Sequence, residues 1–413
     1  MPALTHAALD LLDRQDPLAG FRGRFALPDG VIYLDGNSLG PLPRATPGRI
    51  ARTVAAEWGE GLIRSWNDAG WISLSARIGD AIAPIIGAPP GSVTVADSTS
   101  VNLFKLLGAA LALRPARRTI LTEAGNFPTD SYIAHGLATL LAQGHTVQEV
   151  EASAIADALG PDVAVLMLTH VNYRTGAMHD MAALTRAAHE AGALALWDLA
   201  HSAGAVPLDV QAAEADLAVG CGYKFLNGGP GAPSFLYAAP RLHDALRFPI
   251  TGWFGHAAPF TFDAAWQPAS GITRALAGTP PVLSMAALEE GVALMRDAPM
   301  ALMREKSLRM GDICATLLAE QCGTFGFRVL TPSEHARRGS QFSIAHPAAY
   351  PIMQALIARG VIGDVRMPDI LRFGLTPLTL RYTDLWDAMA VLRGVMATGE
   401  WREPAFQVRR TVT

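Results

Sequence analysis

Two short segments hold the residue types from which carbonyl chemistry could be built. One reads Trp197-Asp198-Leu-Ala-His201-Ser202-Ala-Gly204; the other reads Gly220-Cys-Gly-Tyr223-Lys224-Phe-Leu-Asn-Gly228-Gly-Pro-Gly231. A lysine amine can form a Schiff base with an aldehyde, while a carboxylate keeps a pyridine nitrogen protonated and so strengthens the ring as an electron sink. Asp198 ends one expected strand and Lys224 follows the end of the next. In a doubly wound sheet both would open into the ligand crevice at the strands' carboxyl ends. Singly, each has an ordinary reading, a turn-capping aspartate and a surface lysine. Together with His201, Tyr223 and a glycine-rich run that permits close backbone approach, they describe a minimal site for pyridoxal phosphate (PLP).

A phosphate needs a cradle of its own. Asp97-Ser-Thr99-Ser100-Val-Asn102 follows an expected strand and opens a helix, where free N–H groups, hydroxyls and the helix dipole favour an anion. Thr99 and Ser100 are the candidate contacts, although the same run could be a plain N-cap. Phe127-Pro-Thr-Asp130 offers an aromatic face for stacking and a nearby carboxylate, or alternatively a loop anchor.

These residues must be positioned by a sheet. From about residue 93 the chain alternates β-rich runs with alanine-rich helical stretches, the pattern of a parallel sheet covered by crossover helices. The runs are 93–96, 119–122, 163–169, 193–198, 216–220 and 234–237, several of them apolar without alternation, as strands buried on both faces require. Helical segments such as 181–191 lie between them. After Pro280-Pro281 a long helical run over 282–321 precedes shorter strand-like pieces at 325–330 and 340–344. The expected organisation is a large α/β domain over 45–280 and a smaller α+β domain formed by 1–44 and 281–413. Its N-terminal run Tyr33-Leu-Asp-Gly-Asn-Ser-Leu-Gly-Pro41 should make a tight loop able to line a cleft.

Composition narrows the classes. With 413 residues the chain can bury two cores. No stretch approaches the roughly 20 uninterrupted apolar residues of a membrane span. Lysine plus arginine number 33 against 37 acids, a net charge of −4, with no basic run for nucleic acid. Cys221, Cys314 and Cys322 form no C-x-x-C pair, and an odd count argues against a disulfide framework, so a reducing cytoplasm is expected. The 11 histidines show no compact ligand spacing, and no metal is expected.

Five motifs in order, over roughly residues 30–385, carry a resemblance: Leu34-Asp-Gly-Asn37-Ser38-Leu-Gly-Pro, Phe127-Pro-Thr-Asp130, Asp198-Leu-Ala-His201-Ser-Ala-Gly, Gly222-Tyr223-Lys224, and Gly252-Trp253-Phe-Gly255-His. The chain resembles the fold-type I PLP enzymes of the aminotransferase class V group, and more narrowly the kynureninase family. The resemblance implies a sheet of the seven-stranded type sandwiched by helices. It also implies that Lys224 binds the cofactor aldehyde, that Asp198 binds the ring nitrogen, and that Phe127 stacks on the ring. Thr99, Ser100 and Tyr223 would contact the phosphate, His201 would sit beside the ring, and Trp253 with Thr279 would close the phosphate end. It implies a homodimer with active sites at the subunit interface. In Leu371-Arg372-Phe-Gly374 the guanidinium is the candidate for a substrate α-carboxylate, through two parallel hydrogen bonds. Asn37 and Ser38 would help there, and Trp66, Trp71 and Trp253 could wall an aryl pocket.

The implied reaction is hydrolysis of L-kynurenine at its Cβ–Cγ bond to anthranilate and L-alanine, a step of tryptophan degradation, with 3-hydroxykynurenine as a second candidate substrate. Lys224 would move the α-proton, and Tyr223 is the candidate acid/base for hydration and cleavage. The rivals are a cysteine desulfurase, which needs a mobile nucleophilic cysteine, an aminotransferase, which needs a second amino-acceptor, and a non-catalytic binding module, against which Lys224 speaks.

Overall fold

The computed structural model describes residues 4–410. The chain forms two compact units, one of Ala45–Asn172 and His179–Arg296, the other of Met1–Arg44, Tyr173–Met178 and Asp297–Thr413.

After a two-residue strand β1 (Ile32–Tyr33), seven strands build the sheet of the first unit: β2 (Val93–Ala96), β3 (Thr119–Glu123), β4 (Thr146–Val150), β5 (Val163–Thr169), β6 (Leu194–Asp198), β7 (Leu217–Gly220) and β8 (Ser234–Ala238). Their order is β2-β8-β7-β6-β5-β3-β4. β8 runs antiparallel to both neighbours, and the other pairs are parallel. The central strands β5 and β6 are buried along their whole length, which is why they read as unbroken apolar runs. Helix Thr99–Leu113 places Leu103, Leu106, Leu107 and Ala110 at three- and four-residue spacing, all buried against the sheet. Each such leucine contributes roughly 1.5–3 kcal/mol.

The sequence reading missed β4. It is an edge strand whose Thr146, Gln148 and Glu149 are exposed, so it lacks the apolar signature of its neighbours, and polar edges discourage pairing with another chain. The single helical run expected over 282–321 is two helices, Val282–Asp297 and Met300–Cys322. Pro299 divides them: it has no N–H to donate and disfavours helical backbone at the residue before it. The second unit resumes at Asp297, one helix later than the expected 281, and also takes in Tyr173–Met178.

That unit holds the antiparallel sheet β12-β13-β10-β9, made of β9 (Arg328–Val329), β10 (Gln341–Ala345), β12 (Asp364–Arg366) and β13 (Ile370–Gly374). A further strand, β11 (Val361–Ile362), pairs in parallel with β1. The helices Met300–Cys322, Ala349–Ala358 and Tyr382–Thr398 close its core.

Candidate active site

In the sheet unit, Thr99 follows β2, Phe127 follows β3, Thr169 ends β5, Asp198 ends β6 and Lys224 follows β7. These strands share one direction, so all five residues meet at one carboxyl edge of the sheet.

The amine of Lys224 stands 2.9 Å from His201 Nε2. It lies 5.9 Å from the centroid of the Phe127 ring and 6.0 Å from that of Tyr223. Asp198 is buried, its Oδ1 accepting from the Ala200 N–H at 2.7 Å. Burial pushes its carboxyl up, against the opposing pull of the Lys224 charge. Asp130 is buried too, and its Oδ2 accepts from Thr169 Oγ1 at 3.2 Å. Burial, and then the Asp198 charge, hold Asp130 well above the usual carboxylate range. Burial likewise drives the Tyr223 phenol far above its ordinary value, with Cys221 and Asp198 adding to the effect. Tyr223 therefore keeps its proton. Close backbone packing supports the lysine turn, since a Cβ on Gly222 would lie 2.4 Å from the Pro233 carbonyl oxygen.

Sequence reasoning did not find two supports of this site. Asn126 accepts from the Phe127 N–H at 2.8 Å, fixing the start of that loop. His170 Nδ1 pairs with Ser202 Oγ at 2.9 Å, and its ring meets the edge of Trp197, next to Asp198. Both partners lie within the quoted motifs or adjoin them, but only folding brings them together.

Thr99 and Ser100 occupy the first turn of their helix, whose N-cap Ser98 accepts from the Val101 N–H. Trp66, Trp71 and Thr279 line one cavity of about 520 Å³ with Trp58, Pro281 and Leu283. Trp253 packs edge-on against Phe254 at 4.4 Å, and Phe254 in turn lies 5.6 Å from Trp66. The glycines of the Gly252-Trp253-Phe-Gly255 motif have a steric reason: a Cβ on either would come within 2.3 Å of a backbone oxygen of Leu276 or Ala277. Only glycines let this segment lie against the stretch that leads to Thr279.

Asn37, Ser38 and Arg372 come together in the other unit. Arg372, on β13, stands directly across from Asp364 on β12. The guanidinium is fully buried. Its Nε donates to Asp364 Oδ1 at 2.9 Å, its Nη2 to Asp364 Oδ2 and, at 2.7 Å, to Ser38 Oγ, and its Nη1 to the Tyr173 carbonyl at 2.8 Å. The fork expected to grip a ligand carboxylate is thus turned to Asp364, because cross-strand register sets that carboxylate opposite it. Ser38 Oγ donates to Asp364 Oδ2 at 2.6 Å, and Arg366 Nη2 lies 2.9 Å from the same oxygen. Burial opposes ionisation of Asp364, but its bonds to Arg372 and the arginine charges prevail and hold it below its ordinary value. Burial, and then the Asp364 charge, raise Asp35 from 3.8 to about 7. Asn37 is buried, and neither atom of its amide has a hydrogen-bond partner. Asp35, Asp364 and Arg366 escaped the sequence reading, since no local pattern pairs residues more than 300 positions apart.

All three cysteines are free and buried. Burial pushes the Cys314 thiol up to about 12 and the Cys322 thiol up to about 11, and raises Cys221 as well.

Solved structures identify the architecture. The chain is similar to a C-DES mutant with glycine covalently linked to the PLP cofactor, with a TM-score of 0.78 and 19% identity over 90% of this chain and 98% of the other. It is similar to the apo cysteine desulfurase of Thermococcus onnurineus NA1, with a TM-score of 0.77 and 17% identity over 92% and 98%. The fold is that of the class V PLP-dependent enzymes. Residues 303–392 match the kynureninase C-terminal domain. The chain is 52% identical over 407 residues to the kynureninase of Pseudomonas fluorescens, covering 97% of this chain and 98% of that protein. It matches the kynureninase of Burkholderia pseudomallei strain 1106a to the same extent. The chain belongs to the kynureninase family.

Proposed function

We propose that this chain hydrolyses L-kynurenine at its Cβ–Cγ bond, yielding anthranilate and L-alanine, with PLP held on Lys224. The observation that carries the reading is the Lys224 amine 2.9 Å from His201 at the sheet edge that also holds the buried Asp198. The donor set suits the cofactor. Asp198 and Asp130 are two neighbouring buried carboxyls whose ionisation is opposed by burial, and a protonated ring nitrogen is the cation that would relieve them.

Bound PLP supplies an electron sink for carbanion chemistry at the substrate's α- and β-carbons. Lys224 anchors the cofactor and then moves the proton of the substrate α-carbon, with His201 orienting its amine. Asp198 holds the proton of the ring nitrogen, and Phe127 stacks on the ring. Thr99, Ser100 and Tyr223 bind the phosphate. The retained phenolic proton of Tyr223 suits it to act as acid toward the γ-carbonyl oxygen during hydration, regaining a proton from the attacking water, and then toward Cβ, which takes a proton as the Cβ–Cγ bond breaks. With the Arg372 fork taken by Asp364, the buried and unpartnered amide of Asn37 is the remaining candidate for the substrate α-carboxylate. The tryptophan cavity takes the aryl ring.

The assembly in this reading is a cytoplasmic homodimer in which Trp253 and Thr279 close the phosphate end from the partner subunit. Support comes from exposed apolar side chains in the segment between Trp58 and Trp66, with Leu62 59% and Ile63 77% exposed. Among the described residues no helix is long and apolar enough to cross a membrane. The desulfurase alternative is disfavoured because its nucleophile would have to be one of three buried cysteines with raised thiols.

The test adds L-kynurenine to the purified yellow protein and follows anthranilate fluorescence, with Lys224→Ala as control. Anthranilate release by the wild type and none by the control is the expected result. A yellow wild type that leaves kynurenine and 3-hydroxykynurenine untouched refutes the substrate, and a protein that takes up no PLP refutes the cofactor.

A further inference from the structure

The turn that carries Thr99 and Ser100 is braced from behind by a buried cation to which the proposed chemistry gives no part. Lys105 lies on the same helix as these residues and is 0% exposed. Its Nζ donates to the carboxylate of Asp97 and, at 2.7 Å, to the carbonyl of Ala275. A lysine is almost never fully buried unless paired, and a methionine would fill the same space without the desolvation cost.

Asp97 joins β2 to the helix with φ 46°, in the left-handed region that few residues other than glycine adopt. The turn is gripped on both sides of that position. Asn102 Nδ2 donates to the Ala96 carbonyl at 2.7 Å, and the Ser234 N–H donates to the Asp97 carbonyl at 2.9 Å. Lys105 adds the grip on the side chain. It also offsets a negative charge two residues from Thr99, where an uncompensated carboxylate would repel a phosphate dianion. Through Ala275 the same cation holds the start of the stretch leading to Thr279.

We infer that Lys105 is a positioning residue for the cofactor phosphate: with Asp97 it sets the turn bearing Thr99 and Ser100 and cancels the negative charge beside the incoming anion. This inference rests on the PLP reading above.

The test titrates the apoprotein with PLP and with pyridoxal, which lacks the phosphate, following visible absorbance. It uses the wild type, Lys105→Met, and the double variant Asp97→Asn/Lys105→Met, which leaves no carboxylate without its cation should the single variant fail to fold. In Lys105→Met the PLP dissociation constant should rise roughly 10-fold, through the uncompensated Asp97 charge and the slackened turn together. In the double variant, where no carboxylate is left uncompensated, it should rise less, through the turn alone; pyridoxal binding stays near that of the wild type in both. The preference for PLP over pyridoxal should therefore fall, most in Lys105→Met. An unchanged preference in a folded variant overturns the inference and leaves the cofactor reading standing. A wild type that binds neither compound overturns the cofactor reading, and this inference with it.

Discussion

Replacing Asp35 by asparagine should remove a pH-dependent loss of stability that the wild type shows between mild acid and mild base. Asp35 is raised from 3.8 to about 7, first by burial and then by Asp364. A carboxyl with a raised folded pKa binds its proton more tightly in the folded chain than in the unfolded one. Stability is therefore highest below about 4, falls as pH rises toward 7, and is level above that. Each tenfold in proton affinity is worth about 1.4 kcal/mol, so the part of the fall between pH 5 and pH 8 is at most about 3 kcal/mol. The residue is partly reached by solvent, and we expect about 1–3 kcal/mol. Asp364 does not confuse the comparison, because its depressed pKa places its own transition below the window. Asparagine keeps the shape and has no such transition. Urea unfolding of both proteins at pH 5 and pH 8 gives the four free energies needed, and histidines elsewhere cancel between the two proteins. Equal pH dependence in wild type and Asp35→Asn would refute the argument that Asp35 is held protonated beside Asp364.

Arg372→Met should strand the buried Asp364 and cost about 3 kcal/mol in denaturant unfolding, the low end for breaking a buried pair because Arg366 remains 2.9 Å away. Lysine should not restore the loss, since it cannot present two parallel donors, and equal stability of Arg372→Lys and wild type would count against the paired geometry. Tyr223→Phe, which also gives up a phosphate contact and is therefore assayed at saturating PLP, should lower turnover of kynurenine roughly 10²- to 10⁴-fold; unchanged turnover removes Tyr223 from the acid role.

Local pattern in the sequence was enough for the strands β2, β3, β5, β6, β7 and β8, because burial on both faces leaves contiguous apolar runs. It was enough as well to place Asp198 and Lys224 at one sheet edge, since strands that run parallel put their carboxyl ends on the same side. The polar edge strand Thr146–Val150 carries no apolar signal, because it buries little, whereas the division of the helical run is written in the sequence by Pro299 itself. Tertiary structure alone decided the partners of the charges. It set Asp364 across from Arg372 by strand register and turned the guanidinium fork to it, and it brought Asp130 beside Asp198 and Lys105 beneath Asp97. Such pairings join groups from separate elements, and their energies depend on burial and distance, which residue order does not encode locally.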